Sequence, residues 1–589
     1  MFVRCNPNKK KIKYLSFVQG YRDEFGISRQ KTIEKIGDWD DLIKLYSDPI
    51  SHFNQIAKER DMLNENNINI LINNNENLNI VDNRKNLGYS VLKKIYNESD
   101  LKSFFNSKQS KLNIGYKLND VFELLIYSRI MYPGSKKDTF DNKNIFFDKF
   151  DFSLKDIYRS LDHFNSFKDD IQSWLWNHTK ETYKRDTSSV YYDCTNYYFE
   201  ISYNDEDLVD ENGNILEKGY RKKGPSKEHR PEPIVQMGLL MDKGGIPLSY
   251  NLFPGNESEK TSLRPALNKT KNNYNLGRVI TVADRGLNTS DNTLFIAGKN
   301  NDDSKNKDGY VFGQSILGSD KEFKDYVLDT VKCPYTTDKI IDENKNEITF
   351  KHKSRVFAKT IQIVRNGDRN NKFDIYQKQM IYYSEKYAAR QKKQRDLVIE
   401  KANDLIKNPS KYTRSTSIGA SGYINNIDYD KKTGEIISKQ LSLNLDKISE
   451  EKKFDGYYSI VTSELELPDK EIRDIYKGLW KIEESFKITK SNFEARPVYV
   501  WTKEHIEAHF LTCFVSLVII RLLEQRLNGK YSTEKIINSL RKLECTNIKS
   551  DYYLILYRDE IISVLEGLFN LDFNKKYKLL STIKKITTN

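Results

Sequence analysis

Residues 189–284 pass through short apolar, β-branched and aromatic runs broken by a single helical stretch, and few folds accept that order. Residues 189–193 and 197–199 suggest two strands of one sheet. Residues 233–242 and 246–253 give a second pair across Lys243-Gly244-Gly245, a sequence suited to a hairpin turn. A helix is expected over residues 258–274. Residues 278–284 then form a short strand that ends in a carboxylate, with a helix start near residues 289–291. The pattern specifies an α/β sheet, whose strand ends are rigid and whose loops leave room above them for ligands.

The flanks read differently. Residues 12–37 suggest a β-hairpin turning at residues 23–26, and residues 62–80 are asparagine-rich, as in a solvated linker or an irregular helix end. Helical periodicity dominates residues 87–183, including Val121–Ile126, and Pro133-Gly134-Ser135 stops that helix. Short β segments are expected over 300–453, with one basic amphipathic helix at 385–402. A strand returns at 457–461, and helices fill most of the remainder.

At 589 residues the chain exceeds what one hydrophobic core usually serves. Its 96 lysines and arginines against 83 acids give a net charge of +13, which favours an anionic partner, and 37 tyrosines and 29 phenylalanines add stacking surface. An AT-rich genome would produce the same lysine, asparagine and tyrosine bias. The five scattered cysteines contain no C-x-x-C pair, so neither a disulfide framework nor a zinc site is implied, and a reducing cytoplasm fits. The N-terminus has no apolar stretch of the signal-peptide kind. The longest apolar run, residues 510–520, is too short to cross a bilayer and reads as a buried helix.

Two carboxylates, Asp193 and Asp284, fall at or near strand ends. A third, Glu483, lies on a patterned helix over residues 476–490. At ~100° per residue, Tyr476, Glu483 and Lys490 share one face with Lys487, while Trp480, Ile482, Phe486 and Ile488 are expected to pack inward. Each element has a plainer reading: a strand-end aspartate also caps turns, and a helix with mixed Glu and Lys also forms a solvated face of ion pairs. The joint order carries more weight. A strand Asp, a second 91 residues later and a helix Glu 199 residues beyond follow the layout of an RNase H-like nuclease with an insertion.

Tyr476, Glu483 and Lys490 also resemble the Y-(2)-R-(3)-E-(6)-K signature of DDE transposases of bacterial insertion sequences, in the large IS-four superfamily. Ala283-Asp284-Arg285-Gly286 is similar to that group's second-Asp motif, and Tyr191-Tyr192-Asp193-Cys194-Thr195 to its first. Further similarities are Gly-Pro-Ser-Lys-Glu-His-Arg at 224–230, Phe253-Pro254-Gly255-Asn256 with Glu257 and Glu259, residues 494–500, and the opening residues 20–23 and 29–33. Leu479 stands where the signature has arginine, and Lys487 is the cation the sequence offers in its place.

The resemblance implies an α/β, RNase H-like catalytic domain with a mixed five-stranded sheet and flanking helices, a β-rich insertion and an N-terminal helical region. The corresponding divisions are 1–45 (β-hairpin module), 46–184 (mainly helical, a candidate for binding end DNA), 185–299 and 454–530 (the two parts of the core), 300–453 (insertion) and 531–589 (C-terminal helices). It implies that Asp193, Asp284 and Glu483 are catalytic and hold two Mg²⁺ or Mn²⁺ ions, with Tyr476, Lys487 and Lys490 binding DNA. The expected partners are double-stranded DNA, as terminal inverted repeats and as target, and a second copy of the chain in the synaptic complex, with no membrane. The setting would be the bacterial cytoplasm and its nucleoid. Two other readings stay open: an RNase H-like nuclease without strand transfer, and a non-catalytic transposase-derived DNA-binding protein. His505 and His509 stand at i and i+4 but lack the glutamate of H-E-x-x-H, so zinc is disfavoured.

Overall fold

The strand-forming runs of 189–283 become the middle of one large mixed sheet. The computed structural model describes residues 2–7, 13–22, 28–64, 84–228, 230–298, 308–341, 347–365, 368–414, 416–430, 433–438, 440–549 and 551–588. It divides into two compact units, residues 1–82 and 83–589.

In the first unit, β1 (Phe2–Pro7), β2 (Lys13–Arg22) and β3 (Ser28–Asp38) form an antiparallel sheet, followed by α1 (Trp39–Leu45) and α2 (Pro49–Asn64). The β2–β3 pair is the hairpin expected from the sequence; its turn lies outside the described residues. Phe17 meets Phe53 of α2 edge-on at 6.2 Å, and the Arg60 guanidinium lies over the Phe17 ring at 4.5 Å. Of the asparagine-rich stretch, residues 62–64 end α2 and the rest falls outside the described residues.

In the second unit, α3 (Tyr89–Glu98), α4 (Leu101–Gln109), α5 (Leu118–Met131), α6 (Lys136–Asp141), α7 (Leu154–Ser166) and α8 (Lys168–Thr179) precede the sheet. The sheet comprises β4 (Ser189–Tyr198), β5 (Ile234–Met241), β6 (Pro247–Pro254), β7 (Ile280–Ala283), β8 (Gly309–Gln314), β9 (Thr336–Ile341), β10 (Glu347–Arg365), β11 (Asp368–Tyr383) and β12 (Tyr457–Thr462). Their order is β9-β10-β11-β12-β8-β7-β4-β5-β6. β7 runs parallel to both β4 and β8, and the other pairings are antiparallel.

Three expectations are corrected. The sheet has nine strands, not five. Residues 189–198 form one continuous strand, because Cys194-Thr195-Asn196 keep pairing with β5 without a break. The segments read as short β pieces within 300–453 include β10 and β11, a long hairpin that joins the central sheet through β12. Its lysines and exposed Val356 and Tyr376 interrupt the apolar alternation, so the sequence shows fragments where the backbone is continuous.

Two cores sandwich β4. Because successive strand residues face opposite sides, Tyr191 and Tyr197 join the larger core, while Val190, Tyr192 and Cys194 pack toward α9 (Glu259–Tyr274) through Leu263, Ala266 and Leu267. The larger core is built around α14 (Lys503–Arg526), which packs on α5 and α7. This helix is longer than its apolar run suggested, and long and apolar enough to cross a bilayer, yet 94% of its apolar window is buried within the protein. The remaining helices used below are α10 (Ser290–Ile296), α11 (Glu385–Lys407), α12 (Asp469–Lys477) and α13 (Trp480–Lys487).

Candidate functional site

Parallel pairing of β4 with β7 matches Tyr191 with Val282. Two residues beyond that pair stand Asp193, still within β4, and Asp284, just past the end of β7, so the two carboxylates lie at the same end of neighbouring strands. Their charges interact. Asp193 is half-buried, and its pKa is pushed up to about 7: burial disfavours the charged form first of all, Lys227 opposes this, and Asp284 and Glu259 add repulsion. Asp284 is exposed just past the end of β7, where its Oδ1 accepts from the backbone N–H of Gly286 at 2.9 Å and of Leu287 at 3.2 Å.

β7 ends at Ala283, so beyond that level no strand among the described residues pairs with β4 on its β7 side. The segment 224–227 lies along that opening. Lys227 Nζ donates to the Cys194 carbonyl at 2.5 Å, and Asn196 Nδ2 donates to the Pro225 carbonyl at 3.3 Å. Gly224 anchors the segment: a Cβ there would lie 3.0 Å from Asn256 Cα and closer still to the Gly255 carbonyl group. Lys227 pairs with Glu259 at 3.1 Å. Burial works against its ammonium, but Asp193 and Glu259 together raise it above the ordinary lysine value. Lys227 is thus the built-in counter-ion of Asp193 and Glu259.

The segment carrying Glu483 runs over the same face of β4 as Asp193. The Tyr191 hydroxyl donates to the Ile475 carbonyl at 3.2 Å, and the Tyr197 and Thr489 hydroxyls meet at 2.6 Å. Asp193 lies between these tyrosines on that face. The helix is not continuous, however, and the single stripe expected from 3.6-residue periodicity is corrected. Hydrogen bonds of the i to i−3 kind at Gly478, Leu479, Lys481 and Ile482 tighten the junction of α12 and α13, and a π-helical turn over Ile488–Asn492 loosens the far end. Each change shifts the angular phase. Tyr476 is consequently buried, Glu483 and Lys487 are exposed, and Lys490 is half-buried. Ile482, Phe486 and Ile488 pack inward as expected; Trp480 does not, being 51% exposed.

The Tyr476 hydroxyl bonds the Tyr458 hydroxyl at 2.8 Å and sits against Gly313; burial is the first cause raising its pKa, with Asp284 among the lesser ones. Lys490 lies over the Tyr197 ring at 5.4 Å, and burial brings its pKa down to about 8, aided by Lys227 and opposed by Asp193 and Glu259. Leu479 packs against the larger core.

Oxygen-only donors on neighbouring strands suit a hard divalent cation, and Asp193 and Asp284 meet that description. Glu483 is not drawn in with them: among the described residues no three His, Cys, Asp or Glu side chains converge as metal ligands. The two histidines of α14 part company, His509 lying buried 3.2 Å from the Ala495 carbonyl and His505 pairing with Asp162 at 3.3 Å. In α11, Arg395 is committed to Asp455, which leaves Lys386, Arg390, Lys392 and Lys393 as its exposed basic face.

A mixed α/β protein with two carboxylates side by side on parallel strands and lysines close by is the class these features define. Residues 3–67 match the family model described as IS1634 family transposase, N-terminal domain, which supports reading the chain as the transposase of an insertion sequence. The match covers the N-terminal unit and stops short of the carboxylates. No curated protein matches the chain. Sequence reasoning quoted the 224–230 and 494–500 motifs but gave Lys227, Glu228 and Arg496 no role. The alternation of charge in Lys-Glu-His-Arg was the available signal.

Proposed function

We propose that the chain is a DDE transposase that cleaves DNA at the ends of an insertion sequence and joins those ends to target DNA. The observation that supports this reading is the parallel register that pairs Tyr191 with Val282, two residues before Asp193 and Asp284, together with the repulsion Asp284 exerts on Asp193. The strand order β8-β7-β4-β5-β6, with a parallel pair on one side of β4 and an antiparallel pair on the other, is the arrangement an RNase H-like core calls for. The N-terminal family match supports the same assignment.

In this reading Asp193 and Asp284 hold Mg²⁺ or Mn²⁺, and Glu483 completes the set once α13 settles on bound DNA. Two such ions would supply an activated water or 3′-hydroxyl and offset charge on the leaving oxygen. The chain's own residues do the positioning. Lys490 takes a backbone phosphate, and Lys487, exposed beyond Glu483, meets the DNA backbone. Tyr476 acts as a positioning residue, because its hydroxyl is already engaged by Tyr458 and sits against Gly313 of β8, the strand next to β7. The substrate is double-stranded DNA bearing terminal inverted repeats, bound by a homodimer in the bacterial cytoplasm.

The test is cleavage of a duplex carrying the element's own end, with Mg²⁺, Mn²⁺ or EDTA. Wild-type protein should nick the end only with metal, and D193N and D284N should bind it without cutting. Equal cleavage by D193N would overturn the proposal. Nicking without joined products would favour the nuclease reading.

A further inference from the structure

Glu228, one residue beyond Lys227, has a carboxylate side chain only 28% exposed. Three cations surround it. Lys490 Nζ lies 3.7 Å from Oε1, Arg496 Nη1 contacts the same oxygen, and Arg230 Nε lies 4.0 Å from Oε2. The two guanidiniums flank the Tyr198 ring, Arg230 at 4.0 Å and Arg496 at 5.8 Å, and the backbone N–H of Val498 donates to the Tyr198 carbonyl at 3.1 Å. That last bond fixes the segment carrying Arg496 to the end of β4. Charges drawn from two segments far apart in the chain, one holding Arg230 and the other Lys490 and Arg496, therefore converge on one carboxylate, at the end of the strand that carries Asp193. A carboxylate and a phosphodiester offer the same thing to such a cradle: a delocalised anion with oxygens that accept from guanidinium forks.

We propose that Lys490, Arg496 and Arg230 form a binding site for a DNA backbone phosphate, and that Glu228 fills it until DNA arrives. The inference deepens the transposase reading and rests on it for the identity of the anion. It also assigns a guanidinium near the cut. Leu479 cannot supply one, and Lys487 is exposed on α13 and takes no part in this cluster, whereas Arg496 reaches the same anion as Lys490. The 224–230 segment then places a cation, Lys227, on the carboxylates and an anion, Glu228, on the cations, so one short segment balances both halves of the site.

The test is fluorescence anisotropy with a labelled 20-base-pair duplex in EDTA, which separates binding from metal-dependent chemistry. E228Q should bind about tenfold more tightly than wild type, since DNA no longer has to displace a charge-assisted contact. R496A and R230A should bind correspondingly more weakly, and R496K should recover part of the loss. The deciding measurement is the double variant: the gain from E228Q should vanish in R496A/E228Q. Unchanged affinity in E228Q, or a gain that survives undiminished without Arg496, would overturn the cradle. Thermal unfolding midpoints of each variant show whether the fold is kept, and R230A with R230A/E228Q gives a second cycle if R496A does not fold. Wild-type protein that binds no duplex at all would instead count against the transposase reading.

Discussion

Gly478→Ala is the substitution whose effect can be worked out most closely. Gly478 ends α12 and leans on the Tyr191 ring, which is buried and whose hydroxyl is tied to the Ile475 carbonyl. A methyl on Gly478 would sit 2.7 Å from Tyr191 Cε1 and nearer still to Cζ and the hydroxyl oxygen. Carbon atoms in contact prefer about 3.5–4.0 Å, and since Cζ lies nearer than Cε1, ring and helix must part by roughly 1.5 Å. Tyr191 has little room to yield inside the larger core, and the displacement falls on the α12–α13 junction. Overpacking of this kind costs about 1–3 kcal/mol, which lowers the unfolding midpoint by a few degrees without preventing folding. The catalytic effect should be larger. Glu483 rides five residues beyond Gly478, and a misplacement of about 1 Å at a reacting centre costs on the order of 100-fold in rate. The assay is single-turnover nicking of the end duplex beside anisotropy for binding: G478A should lose about two orders of magnitude in nicking while retaining duplex affinity. Y191A, which opens space under the new methyl, should return part of the rate in the G478A background. Wild-type nicking and an unchanged unfolding midpoint in G478A would refute the reasoning.

Other perturbations give independent checks. Arg185 and Asp242 form an ion pair at 2.7 Å with side chains 1% and 0% exposed, and Arg185 also donates to the Ile246 and Pro247 carbonyls. D242A leaves that guanidinium buried and unpaired, and should cost about 3–5 kcal/mol in denaturant unfolding, with R185M/D242L losing much less than the two single changes together. Lys136 is buried, and burial first, then Arg129, brings its pKa down from 10.5 to about 7. The unfolded chain therefore binds more protons than the fold between about pH 7 and 10.5, so this residue makes stability rise with pH across that window. K136M should flatten the rise, as seen in unfolding midpoints at pH 7 and pH 9. K487A should weaken duplex binding modestly and reduce the salt slope by about one, as expected for a single exposed phosphate contact, and should not alter the gain from E228Q.

What could be read from the sequence divides along physical lines. Strands 234–241 and 247–254, helix 259–274 and the strand before Asp284 follow from local pattern, because each is bounded by its own turn or cap: Ser258 and Thr289 accept from backbone N–H groups at the starts of α9 and α10. That Asp193 and Asp284 come to the same end of neighbouring strands follows from the parallel register of segments 91 residues apart, and no local pattern contains it. The helix of residues 476–490 shows the converse failure. Regular periodicity put Tyr476, Glu483 and Lys490 on one stripe, but a tightened junction and a π turn rotate them into three environments, because Gly478 must clear Tyr191 and Thr489 must reach Tyr197. Tertiary contacts override the helical period there. Likewise the charges at 227, 228, 490 and 496 look like ordinary surface residues until folding brings them together.

One feature of the sheet explains why charged side chains gather beside Asp193. β4 continues to Tyr198, but its parallel partner stops at Ala283, leaving the far half of β4 paired on one side only. Buried backbone groups left without partners cost about as much as a lost hydrogen bond, so something must cover that edge. The 224–228 segment helps do so, with Lys227 donating to the Cys194 carbonyl and the Asn196 side chain donating to Pro225, and in doing so it carries Lys227 to Asp193 and Glu228 to Lys490 and Arg496. An edge that has to be covered by a loop, not a strand, is also one that can be uncovered. Nucleic acid approaching β4 would compete for the same contacts, and the affinity gained by removing the Glu228 charge measures that competition directly.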